Sequence, residues 1–151
     1  MSEVLSSMFG HIDKMLVGCT IDYEVLCSAE VDIHFFDNYE NTRIVNSFLF
    51  NFGKLQDKIG AKLFKQVLYE LKEIDTFELP MLDVLHMLEK MYILESVQEW
   101  EKLREIRNIL AHEYPFEIEE RVENIDLALE GFVLLEKIYE KLKAFVLKTE
   151  A

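Results

Sequence analysis

Apolar residues recur at intervals of three and four along almost the whole chain, and nowhere is there a sustained period-two alternation. In the first segment Leu5, Met8, Ile12, Met15, Cys19, Tyr23 and Leu26 form one stripe, which predicts a long helix over about 2–29. The stretch 30–40 is predicted to be a connection, with Asp37, Asn38 and Asn41 as candidate N-caps of the next helix. A second stripe, Ile44, Phe48, Leu55, Ile59, Leu63, Val67 and Leu71, predicts a helix running to about Glu73. Gly53 and Gly60 interrupt it, at positions where another helix can approach closely. Asp75 to Leu79 reads as a turn. Pro80 suits the first position of a short helix over about 80–93. Met81, Met87 and Met91 fall on its apolar pattern as packing residues. Ser96-x-x-Glu99 has the form of a capping box and predicts a helix starting near Val97, with Trp100, Leu103, Ile106 and Leu110 on its apolar face. That helix must stop near Pro115, because Tyr114 precedes a proline. A last helix is predicted over about 117–148 on Ile118, Val122, Ile125, Leu129, Phe132, Leu135, Ile138 and Leu142, with lysines near its C-terminal end complementing the helix dipole.

Four or five helices, three of them long and all joined by short connections, predict an all-α, mostly antiparallel four- to five-helix bundle. With 151 residues, five glycines and two prolines, and no repeat, low-complexity tract or linker, residues 1–151 read as a single domain.

Composition narrows the functional classes. No apolar run approaches the roughly 20 residues of a membrane span. The opening Met-Ser-Glu-Val-Leu lacks a basic region followed by an apolar block, so the expectation is a cytoplasmic protein away from the membrane. Cys19 and Cys27 read as two buried, reduced thiols, with no zinc-ligand spacing nearby; no metal and no cofactor is expected. A net charge of −13 argues against a broad nucleic-acid surface. The charge is uneven, however. Residues 41–72 carry six basic and two acidic side chains, net +4, and residues 102–112 carry three against one, net +2. The acidic blocks 1–40 and 73–101, each net −7 (one basic against eight acidic), are solubilising surface or a docking face for a basic partner.

The densest chemistry in the chain begins in the second positive block and runs just past it, Arg107-Asn108-Ile109-Leu110-Ala111-His112-Glu113-Tyr114-Pro115. Arg104, Asn108 and His112 are spaced i, i+4, i+8 and share a helix face. Arg107 is five residues before His112, roughly 140° away on an ideal helix. The two converge only if the helix end unwinds, if the long side chain wraps round, or if Arg107 acts on the histidine of a second copy. An arginine holds phosphate oxygens without losing its charge, and a histidine transfers protons near neutral pH. The pair therefore suits metal-free cleavage of RNA, in which the 2′-OH is the internal nucleophile. One histidine does not readily supply both base and acid in one step, which predicts a homodimer with a composite cleft. The bland alternatives are a histidine interacting with the helix C-terminal dipole at His112 and a core or interface aromatic at Tyr114. Lys54, Lys58, Lys62 and Lys65 are a candidate RNA-backbone track, or a solvated helix face. His11, His34 and His86 have no constellation near them in sequence.

Arg107-x4-His112 resembles the Arg-x4–6-His signature of HEPN domains. With Tyr114 it takes the Arg-x4-His-x-Tyr form of HepT-type toxins of the MntA–HepT toxin–antitoxin systems. The segment Phe50-x-Phe52-Gly-Lys-Leu-Gln-Asp57-x-Ile-Gly60 is similar to the second helix of such proteins. The resemblance implies a HEPN-like bundle that dimerises and cleaves RNA (tRNA among the candidates, DNA not) without metal. It further implies a small MntA-like nucleotidyltransferase antitoxin that attaches AMP to the motif tyrosine. On these residues Arg107 would contact phosphate, His112 would transfer protons, Asn108 would orient the site and Tyr114 would be the modified position. Arg104 is added from its spacing alone. The alternatives are a non-catalytic binding subunit for a nucleotidyltransferase and a helical dimerisation scaffold.

Overall fold

The computed structural model describes residues 1–111 and 117–150. Among them there is no strand. The elements in order are α1 (Glu3–Ser28), a single 3₁₀ turn (Phe35–Asp37), α2 (Tyr39–Lys58), a π-helical turn (Ile59–Leu63), α3 (Phe64–Glu70), α4 (Met81–Lys90), α5 (Val97–Ala111) and α6 (Ile118–Glu150). The predicted all-α bundle is therefore observed. α2, the π turn and α3 are one unbroken helical rod, with an extra residue's worth of winding in its middle.

Directions follow from which residues meet. Tyr139 of α6 reaches Phe9 and Asp13 of α1, while Tyr23 near the other end of α1 packs on Phe132. Tyr23 also meets Phe48 of α2. α1 is thus antiparallel to both α2 and α6. α5 returns antiparallel to α2, with Arg107 beside Gly53 and Trp100 beside Gly60. It also packs on α6, with Ile106 near Gly131. Four long helices make the bundle, and α4 packs on α5 at its side.

The predicted stripes supply most of the core. Leu5, Ile12, Cys19 and Leu26 of α1 are buried, as are Phe48, Leu55, Ile59, Leu63 and Val67 of the second rod. Sequence periodicity missed Phe9, Phe52, Phe64 and Leu68, which are equally buried. Phe48 and Phe132 meet edge to face at 5.7 Å and Phe64 meets Trp100 at 4.8 Å, so aromatic side chains fill the centre. Burying one such ring contributes about 1.5–3 kcal/mol. The fully enclosed Tyr139 hydroxyl donates to Asp13 Oδ1 at 2.7 Å, and Lys143 donates to Asp13 Oδ2 at 2.7 Å. This satisfies the one polar atom of that side chain inside the bundle.

Helix ends differ from expectation in four places. The second rod stops at Glu70 and α4 at Lys90, each about three residues early. Lys72 (φ 61°) and Tyr92 (φ 59°) take the left-handed conformation there. The amides of Glu73 and Ile93 return to the carbonyls of Leu68 and Leu88, closing a Schellman motif at each end. The expected capping box at α5 is built differently. Glu99 accepts from the Glu95 amide, and the Val97 amide donates at 2.7 Å to Glu89 of α4. Pro80 is the N-cap of α4, one position before its first helical residue. Asn38, of the three candidates, caps α2 by accepting from the Glu40 amide. Cys19 is buried as predicted, but Cys27 is exposed, because it lies on the outer side of α1.

Candidate active site

Helical spacing places Arg104, Arg107 and Asn108 on one side of α5, above the second rod. All three line a cleft of about 240 Å³ whose other wall is Gln56, Asp57, Gly60 and Ala61, with Trp100 and Met81 at its base. The structure thus brings together three of the residues singled out by sequence. His112 and Tyr114, the remaining two of that group, lie outside the described residues.

Arg107 is held by what α2 lacks as much as by what it carries. A Cβ at Gly53 would lie 2.8 Å from both Cζ and Nη1 of Arg107. Only a glycine lets the guanidinium lie flat against the α2 backbone. From that seat Nη2 of Arg107 donates to Asp57 Oδ2 at 3.2 Å, one helical turn further along α2. Asp57 engages one edge of the guanidinium. Among the described residues, no other acceptor engages the remaining donors, and the side chain is 38% exposed. The arrangement fixes the position of a cation while leaving donors for an anionic ligand. Arg104 is occupied differently, donating from Nη1 to Glu101 of its own helix at 3.2 Å.

Gly60 serves the second contact between these helices. A Cβ there would lie 2.6 Å from Cζ2 of Trp100. The indole seats where the π turn widens the rod, and π turns of this kind often accompany functional sites. Gln56 is 4% exposed, and its Oε1 has no hydrogen-bond partner.

Sequence reasoning did not assign Asp57, Gln56 or Trp100 to the site. Asp57 and Gln56 lie within the α2 segment quoted for its family likeness, but nothing in one sequence says that position 57 faces position 107. The two glycines were the available signal, since each marks a close approach.

The four lysines of the second rod do not form a single open row. Lys54 lies over the Phe50 ring at 5.5 Å, and Lys65 donates to the Phe77 carbonyl at 2.9 Å. Lys58 and Lys62 line a different cleft, facing α1. The extra winding of the π turn breaks the phase that a regular helix would keep. Among the described residues, no group of three or more His, Cys, Asp or Glu is placed to hold a metal ion, and no helix is long and apolar enough to cross a membrane. No protein-family model, curated protein or solved structure matches the chain.

Proposed function

We propose that the chain is a metal-independent ribonuclease that acts as a homodimer and serves as the toxin of a toxin–antitoxin pair. The observation that carries the reading is the seating of Arg107 over Gly53, oriented by Asp57, in a cleft shared with Arg104 and Asn108. His112 follows five positions later in the Arg-x4-His-x-Tyr pattern that resembles HepT-type toxins. In this reading the free donors of Arg107 bind the scissile phosphate and stabilise the charge that builds on it. His112 of one copy takes the 2′-OH proton as the 2′-oxygen attacks phosphorus. His112 of the second copy gives a proton to the departing 5′-oxygen. The P–O2′ bond forms and the P–O5′ bond breaks, leaving a 2′,3′-cyclic phosphate and a 5′-hydroxyl. Tyr114 is then the position at which an MntA-like nucleotidyltransferase partner adds AMP, silencing the site by occupying it.

The test is RNA cleavage by purified protein in the presence of a chelator, comparing wild type with Arg107→Ala and His112→Ala. Cleavage lost in both variants, with helicity intact by circular dichroism, is the expected result. Cleavage that survives both substitutions, or that requires magnesium, overturns the assignment. A second reading, a non-catalytic binding subunit for a nucleotidyltransferase, is favoured by the net charge of −13, which repels RNA over most of the surface. It predicts a stable complex with that partner and no cleavage at any protein concentration.

A further inference from the structure

Acidic residues outnumber basic ones by 29 to 16 in this chain, so two lysines sharing one cleft that no carboxylate lines stand out. Lys102, Lys137, Lys141 and Lys143 are all paired with Asp or Glu. Lys58 and Lys62 are not. Among the described residues neither makes an ion pair or a hydrogen bond. They sit four apart across the π turn and on the same side of the rod, where like charges repel. The facing wall comes from α1. Ser7 and His11 are exposed one helical turn apart, and the more buried Met8 and Ile12 beside them form an apolar floor. The cleft measures about 290 Å³ and no carboxylate lines it. It shares no lining residue with the Arg107 cleft and opens on the other flank of the same rod.

We propose that this cleft is a second, separate anion site that binds a phosphate group. Two ammonium groups match the two charges of a phosphate monoester. The Ser7 hydroxyl and the His11 ring add hydrogen-bonding groups on the opposite side. Met8 and Ile12 exclude water beneath the anion, which strengthens its attraction to both lysines, and they offer a surface for the group the phosphate is attached to. The volume accommodates a mononucleotide-sized fragment rather than a folded partner. An anion bound between Lys58 and Lys62 offsets the repulsion of two like charges four residues apart. His11 has no constellation near it in sequence; the antiparallel packing of α1 on the second rod brings Lys58 and Lys62 to it. The proposal does not depend on the Arg107 reading.

The experiment is calorimetric titration of the full chain with inorganic phosphate, AMP and adenosine. It compares wild type with the Lys58→Gln/Lys62→Gln double variant. Lys90→Gln/Lys148→Gln, which changes net charge equally at exposed positions elsewhere, is the control. The expected result is one saturable site for AMP and phosphate, none for adenosine, and at least a roughly tenfold loss of affinity in the first double variant only. A short single-stranded RNA without terminal phosphates separates the two sources of the group. Binding with the same loss in the Lys58/Lys62 variant identifies a strand's backbone phosphate, and absence of binding identifies a free monoester. No saturable binding of phosphate, AMP or RNA at millimolar concentrations, or equal losses in both double variants, overturns the site. RNA cleavage by Arg107→Ala is a separate measurement, so failure of one proposal is distinguishable from failure of the other.

Discussion

Gly53 and Gly60 lie seven residues apart on the rod that faces α5, and an alanine at either would intrude on an α5 side chain. The consequences should nevertheless differ in kind. At Gly53 the added methyl would meet the guanidinium of Arg107, at 2.8 Å from Cζ and Nη1 and 3.3 Å from Nε. That group is the far end of a flexible, partly exposed side chain, and it can swing out. The cost is one partly exposed ion pair with Asp57, worth about 0.2–1 kcal/mol. Replacing a helical glycine by alanine returns up to about 1 kcal/mol. Stability should therefore stay within about 1 kcal/mol of wild type, or roughly 2–4 °C in Tm for a chain of this size. On the proposed ribonuclease reading, cleavage should suffer far more. If Arg107 acts from this seat, displacing it forfeits charge-assisted hydrogen bonds worth about 1.5–3 kcal/mol, a fall in rate of about 10- to 100-fold. At Gly60 the methyl would meet Trp100 at 2.6 Å, and Trp100 is 2% exposed and wedged against Phe64. It has nowhere to go. Overpacking of this kind costs about 1–3 kcal/mol, so Tm should fall by about 2–12 °C. Thermal denaturation followed by circular dichroism, alongside a cleavage assay in chelator, reads both effects. If Gly53→Ala is destabilised as much as Gly60→Ala, the guanidinium is not free to move. If Gly53→Ala cleaves like wild type while Arg107→Ala is inactive, the seat is irrelevant to the chemistry.

Three further outcomes follow from single features. Burial alone would raise the Asp13 carboxyl, but hydrogen bonds from Lys143 and Tyr139 and the charge of Lys143 outweigh it and hold the pKa below its ordinary 3.8. The stability this carboxylate contributes is therefore present above that value and is lost as pH falls through the lower folded value. Asp13→Asn should be less stable at neutral pH and show a shallower loss in acid, and an unchanged acid unfolding profile would refute the linkage. Burial, with the charges of Asp22 and Glu136, pushes the Cys19 thiol up to about 12. A thiol reagent should modify one cysteine quickly in the native protein, the exposed Cys27, and the second only on unfolding; two fast thiols would contradict the packing of α1. Lys72→Gly and Tyr92→Gly should each stabilise by about 0.5–1 kcal/mol, because a left-handed conformation costs a residue with a Cβ more than it costs glycine. Loss of stability on either substitution would show that the side chain contributes more than its backbone costs.

The helix ends and the thiols show where sequence reading runs out. Lys72 and Tyr92 close their helices with left-handed turns, yet neither is the glycine that announces such a turn, so periodicity carried the second rod and α4 a few residues too far. Cys27 is eight residues from Cys19 in an apolar pattern, and a cylinder with 3.6 residues per turn rotates that interval by about 80°. One thiol faces the core and the other solvent.

The sequence by itself determined the all-helical architecture, the order of the helices and most of the core, because each depends on local periodicity of 3.6 residues. It also singled out Arg104 and Asn108 by a spacing that shares a helix face with His112, and Arg107 by its place in the Arg-x4-His-x-Tyr pattern. It marked Gly53 and Gly60 as points of close approach without saying what approaches. Only the tertiary structure decided the partners. Asp57 orients Arg107 from a separation of 50 residues, and His11 joins Lys58 and Lys62 from 47 and 51. These pairings are set by how antiparallel helices register against each other, which depends on packing volume at a few glycines and aromatics. A periodic pattern fixes which face of a helix turns inward, but it carries no information about which residue of another helix that face will meet.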